Sequence, residues 1–116
     1  MKTFLAVYLG NAASRDRWLA LNEAERKQRE KAGMEAWHGW MTAHKASLVD
    51  SGGPLGKTKR ASEKGLADIS NNMSGYCILR ADSHDAAIRM FEKHPHFSIF
   101  PGDSVEVMEI LPIPGQ

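Results

Sequence analysis

The chain has 116 residues, 42% of them hydrophobic and 25% charged, which are the proportions of one ordinary globular domain built on a single core. Fifteen Lys and Arg stand against fourteen Asp and Glu for a formal net charge of +1, so no global field singles out nucleic acid or an anionic membrane as partner. The lone cysteine, Cys77, excludes an intramolecular disulfide and leaves no thiol pair for zinc, and no apolar stretch reaches the roughly 18 residues that span a bilayer.

A reducing cytoplasm is therefore the expected compartment. Lys2 ahead of the apolar run Thr3 to Leu9 has the look of a leader. That run is short, and Asn11 to Arg17 places charges where a small-residue cleavage site belongs. Lys2 to Leu9 is expected instead to be a strand, ended by Gly10-Asn11. Both of its faces are apolar: Thr3, Leu5, Val7 and Leu9 point one way and Phe4, Ala6 and Tyr8 the other.

Asn11 to Arg17 is a polar linker in which Asp16 is placed to cap a short helical turn carrying Trp18 and Leu19. Asn22 then reads as an N-cap, with Glu23 and Glu25 in the first turn of a long helix from about Glu23 to Ala46. At helical spacing Glu30, Gly33, Trp37, Trp40, Met41, His44 and Leu48 share one stripe, the face expected to be buried.

Leu48-Val49-Asp50 is expected to be a short strand, broken by Ser51-Gly52-Gly53-Pro54-Leu55-Gly56. Lys57 to Asp68 is polar and basic and reads as an exposed hairpin arm or loop. Met73 to Ala81 is a strand. Asp82-Ser83 caps a helix over His84 to Lys93 with Ala87, Ile88 and Phe91 inward, and Pro95 stops it. Ser104 to Leu111 is the last strand.

This order of strand, helix, strand, arm, strand, helix, strand is the split βαβ pattern of an α+β, ferredoxin-like domain with an antiparallel sheet. Two helices cover one face of such a sheet. The opposite face still carries Leu5, Val7 and Ile78, and leaving such side chains in water sacrifices roughly 1.5 to 3 kcal/mol each. A second copy of the chain, packed sheet against sheet, is the simplest cover.

The segments Leu48 to Gly56, Ser74 to Ser83 and Gly102 to Val107 resemble the YCII-related, or DGPF-domain, proteins, and the resemblance extends over nearly the whole chain. It implies a ferredoxin-like fold paired into a dimeric α+β barrel, with a cleft between the long helix and the sheet. It also implies, for some members, a His and an Asp in that cleft and enzymatic activity. Counting back from the Gly-Pro turn places the family's helix histidine near Ala36 or Trp37. The resemblance therefore assigns no catalytic residue here, and the literal Asp-Gly-Pro-Phe motif is absent.

The residues themselves suggest His44 and Asp50 as catalytic candidates. His44 is central in the helical stripe, whereas His38 lies at its edge, and Asp50 follows six residues on. A helix-to-strand reversal that joined them would leave the imidazole a general base near neutral pH. The plainer alternative is a structural histidine and a carboxylate that turns the chain. Trp37 and Trp40 either floor a pocket for a flat ligand or pack the core, and Met34 and Met41 add adaptable apolar volume. Ser51 and Gly52 are placed to offer backbone N–H groups to an anionic ligand group.

His94-Pro95-His96, with His84 before it, raises a metal reading, but no acidic or thiol partner stands at ligand spacing, and ending the helix is the simpler role. The basic run Lys57, Lys59 and Arg60 lacks interleaved aromatics for stacking bases. Cys77, within a strand, is expected to act as a small apolar side chain. Two functions are then in view. One is a small-molecule site, with cofactor-free acid–base chemistry of the lyase or isomerase kind. The other is a non-catalytic dimeric module whose arm contacts another protein.

Overall fold

The computed structural model describes residues 1–115. Strand β1 (Lys2–Gly10) buries Phe4, Ala6 and Tyr8 and leaves Leu5, Val7 and Leu9 half-buried, so the two faces separate by strand alternation. Asn11, rather than Asp16, is the cap that follows. Its side chain accepts the Ser14 N–H at 2.7 Å and starts α1 (Ala12–Leu19) a full turn earlier than expected.

Asn22 caps α2 (Glu23–Ala43) by accepting the Glu25 N–H at 2.8 Å. The helix ends before Ala46 because His44 leaves helical geometry at φ −109°. Its carbonyl then accepts the N–H groups of Ser47 and Leu48 at 2.9 and 3.2 Å, which turns the chain into β2 (Leu48–Pro54).

The glycines after Asp50 do not break this strand. Gly52 adopts φ +65°, and register shifts on either side of Asp50 carry β2 on to Pro54, so the glycine pair forms a bulged strand edge. β3 (Thr58–Ser62) and β4 (Gly65–Ile69) make a separate two-stranded hairpin, which is the exposed arm.

β5 (Met73–Ala81) follows. Ser83 caps α3 (His84–Arg89), which is shorter than the expected His84 to Lys93. Ile88 is 39% exposed, whereas Ala87 and Phe91 are buried. A turn containing Lys93 at φ 57° reverses the chain into α4 (Pro95–Ser98), so Pro95 begins a helix instead of stopping one. β6 (Gly102–Glu109) completes the sheet.

The four-stranded sheet has the order β2-β5-β1-β6 with every neighbouring pair antiparallel. Phe4, Ala6, Tyr8, Cys77, Leu79 and Val107 meet Ala87 and Phe91 in the core. The long helix contributes little to it. Gly33 is its one buried residue, and Trp37 and Trp40 are partly buried against the core.

The result is thin, 54 × 42 × 18 Å, with a radius of gyration of 16.3 Å against about 13 Å for a compact chain of this length. Among the described residues no helix is long and apolar enough to cross a membrane.

Candidate small-molecule site

Because α2 meets the sheet mainly through its C-terminal half, a gap opens between that half and the bulged edge of β2. The gap is a cavity of about 450 Å³, within the range of small-molecule sites. Trp37 and Met41 form the helix wall, Tyr8 and Gly75 belong to the sheet below, and Phe100 closes one end. Trp37 and Tyr8 have ring centroids 5.0 Å apart, and Trp37 and Phe100 6.0 Å, so the lining is largely aromatic.

The β2 rim depends on one glycine. A Cβ on Gly52 would overlap the Tyr76 carbonyl oxygen and lie 2.7 Å from its carbon. Backbone therefore passes over backbone here, and the positive φ independently favours glycine. Asp50 supports this turn, accepting the Gly52 N–H at 2.8 Å.

Two imidazoles border the cavity, His38 from α2 and His96 from α4. His38 is exposed, whereas His96 is buried. His96 Nε2 lies 2.7 Å from the Leu9 carbonyl oxygen. A carbonyl only accepts, so the proton sits on Nε2 and the neutral ring keeps its lone pair on Nδ1. Burial lowers the pKa of His96, opposed by the carbonyls of Leu9 and Ser104 and by Asp103.

Behind His96 lies His94, 1% exposed. Its Nδ1 accepts the His96 N–H at 3.0 Å, and its Nε2 has no hydrogen-bond partner among the described residues. The ring is enclosed by aromatics, with Trp37 at 4.5 Å and 90° and Trp40 at 4.7 Å and 70°. Burial, then the neighbouring His96 and His44, push its pKa down to about 4.

Tyr8 completes the polar set. Its hydroxyl lies 3.7 Å from the Cys77 sulfur, and burial raises both pKa values, so phenol and thiol are neutral and Cys77 is no nucleophile.

Of the residues singled out in the sequence, Trp37, Ser51 and Gly52 line the cavity, and Trp40, His44 and Asp50 do not. Trp40 donates its indole N–H to the Met90 carbonyl at 2.7 Å, which ties α2 to the end of α3. The His44 ring lies against Trp40, with centroids 5.0 Å apart and the planes tilted by 48°. The expected His44–Asp50 dyad does not form. His44 closes the helix on the Trp40 side, and the Asp50 carboxylate is engaged by Gly52 on the exposed strand edge.

His94 and His96, expected to end a helix, are instead buried at the start of one. His84 Nε2 lies 2.7 Å from the Val107 carbonyl oxygen, apart from both. Among the described residues no group of three or more metal-ligating side chains is assembled.

No family model matches the chain, and no curated protein matches it. Among solved structures it is similar to the 5-chloro-2-hydroxyhydroquinone dehydrochlorinase of Burkholderia phenoliruptrix AC1100, solved in complex with 2,5-dihydroxybenzoquinone. The TM-score is 0.53 and the identity 18%, over 91% of this chain and 90% of that one. With the strand order above, this likeness gives the fold: α+β and ferredoxin-like, with an antiparallel sheet and its helices on one face.

Proposed function

We propose that the chain binds a small, flat, largely apolar molecule between α2 and β2 and acts on it by acid–base chemistry supplied by its own side chains. The observation that carries this reading is an aromatic-lined cavity of about 450 Å³ bordered by a buried imidazole of fixed tautomer. A neutral His96 with its proton held on Nε2 offers Nδ1 as a general base, and His38 supplies a second, solvent-reachable imidazole. Proton abstraction leading to elimination or isomerisation requires no cofactor. The similar dehydrochlorinase, solved with a flat quinone, supports the ligand class. In this reading His44 and Asp50 are structural, one closing α2 and the other holding the Gly52 turn.

The three segments that resemble YCII-related proteins support membership of that family, and the open sheet face supports its homodimeric barrel. Leu5, Val7 and Ile78 lie together there through the register Leu5↔Ile78, with Met108 of β6, 43% exposed, opposite Leu5. A second copy is the cover proposed, and a reducing cytoplasm suits the single buried thiol.

The test is a ligand-observed NMR screen of one-ring aromatic compounds, with the Trp37 indole signal as reporter. Binders should shift that signal, and Trp37→Ala should weaken them tenfold or more. His96→Gln retains a donor for the Leu9 carbonyl but removes the base, so binding should persist while any turnover found is lost. A screen that leaves Trp37 unmoved sinks the proposal.

A second reading is favoured by one observation: Leu66, in the β3–β4 arm, is 89% exposed, as a protein contact would require. Deleting Thr58 to Ile69 should then abolish a pull-down partner without dissociating the dimer. Partners that survive the deletion refute it.

A further inference from the structure

A second cavity, of about 350 Å³, lies where α1, α2 and the α4–β6 connection meet. Its chemistry is opposite to that of the first. Arg17 and Arg29 line it together with the hydroxyl residues Ser14 and Ser98, and no carboxylate does. Neither arginine is ion-paired with any described residue; Arg17 reaches only the Ser14 hydroxyl, at 3.1 Å. Both arginines are exposed, and two guanidinium groups on the lining of one cavity with no carboxylate beside them leave their donors free for an oxyanion.

The two cavities share one wall. Phe100 borders both, with its ring centroid 6.0 Å from Trp37 on one side and 6.1 Å from Trp18 on the other.

We propose that Arg17 and Arg29 form an oxyanion subsite and that the natural ligand is an aromatic or similarly flat carboxylate or phosphate. Its ring rests against Phe100 and its charged group is held by the two guanidinium forks. This rests on the small-molecule reading above and narrows it from flat apolar molecules to anionic ones. It also gives a role to α1, whose residues Ser14, Arg17 and Trp18 all face this cavity.

The probes are benzoate and phenyl phosphate, with benzyl alcohol as the uncharged ring, titrated by NMR against the full chain and the double variant Arg17→Met/Arg29→Met. At least one of the two anions should bind tenfold or more tighter than benzyl alcohol. The double variant should remove that advantage while leaving benzyl alcohol binding and the thermal midpoint unchanged. The tighter of the two anions identifies the oxyanion.

Equal binding of all three probes, or anion binding that survives loss of both arginines, overturns the subsite. Benzyl alcohol that leaves Trp37 unmoved, beside arginine-dependent anion binding, would overturn the apolar-cavity reading and leave the subsite standing.

Discussion

The backbone N–H of His96 donates to Nδ1 of His94 at 3.0 Å, and this one bond settles the protonation of a ring that is 1% exposed. With Nδ1 accepting, neutral His94 carries its proton on Nε2, and a second proton would have to displace the His96 N–H. The N-cap of α4 and the burial of His94 are thus one feature: the ring caps the helix only while it is uncharged.

A pH dependence follows. The pKa of His94 is near 6.5 unfolded and about 4 folded, so between these values the unfolded chain binds the additional proton. Stability then rises with pH across that window and is lost as pH falls from 6.5 towards 4, by about 3 kcal/mol in all for this group. The depressed pKa of His96 acts in the same direction. Urea unfolding at pH 7.5, 6, 5 and 4.5 should show the decline, and His94→Gln, which cannot titrate, should flatten it. An equal slope in the variant would assign the effect elsewhere.

Gly52 and Gly53 make a matched pair for testing the cavity rim. Gly52→Ala sets a methyl against the Tyr76 carbonyl at φ +65°, whereas a methyl at Gly53 would meet nothing within 4 Å. The first substitution should cost at least about 2 kcal/mol and the second less than about 0.5 kcal/mol. Similar costs in thermal or urea unfolding would mean that the bulge relaxes freely.

The main element order, α4 apart, was legible because it depends on local signals: the apolar run of β1 ended by Gly10-Asn11, and the Asn22 and Ser83 caps. Trp37 was legible too, since helical spacing alone places it on the inner face. His96 was not, because its burial comes from α4 lying over the ends of β1 and β6, where a Cβ on Gly102 would collide with the imidazole. Nothing periodic marks that contact; the only local signal was two histidines flanking a proline. The His44–Asp50 pairing failed for a related reason. Six residues of separation bring a helix end and a strand start near each other, but the nearer Gly52 N–H took the carboxylate.

Gly33 gives a case in which stability and function should part. Alanine there gains about 1 kcal/mol of helix propensity, while its Cβ would come 2.5 Å from Phe100 Cε2 and displace that ring. The two effects oppose each other, so the unfolding midpoint should move little. The shared wall of both cavities moves, and aromatic probes should bind severalfold more weakly. A Gly33→Ala protein with unaltered probe affinity would show that Phe100 shapes neither site.

The open sheet face yields the remaining prediction. Val7 is flanked across the sheet by Tyr76 and by Glu106, and on its own strand by Leu5 and Leu9, all on the side away from the helices. In an isolated chain, Val7→Lys puts a charge on a surface that water already reaches and next to Glu106, at a cost within about 0.5 kcal/mol. In a sheet-to-sheet dimer the same lysine is buried, and twice over, because the symmetry axis repeats it. Sedimentation should therefore find the wild type a dimer and the variant a monomer with its secondary structure intact. A wild type that sediments as a monomer at tens of micromolar would leave the face uncovered and remove the argument for the paired barrel.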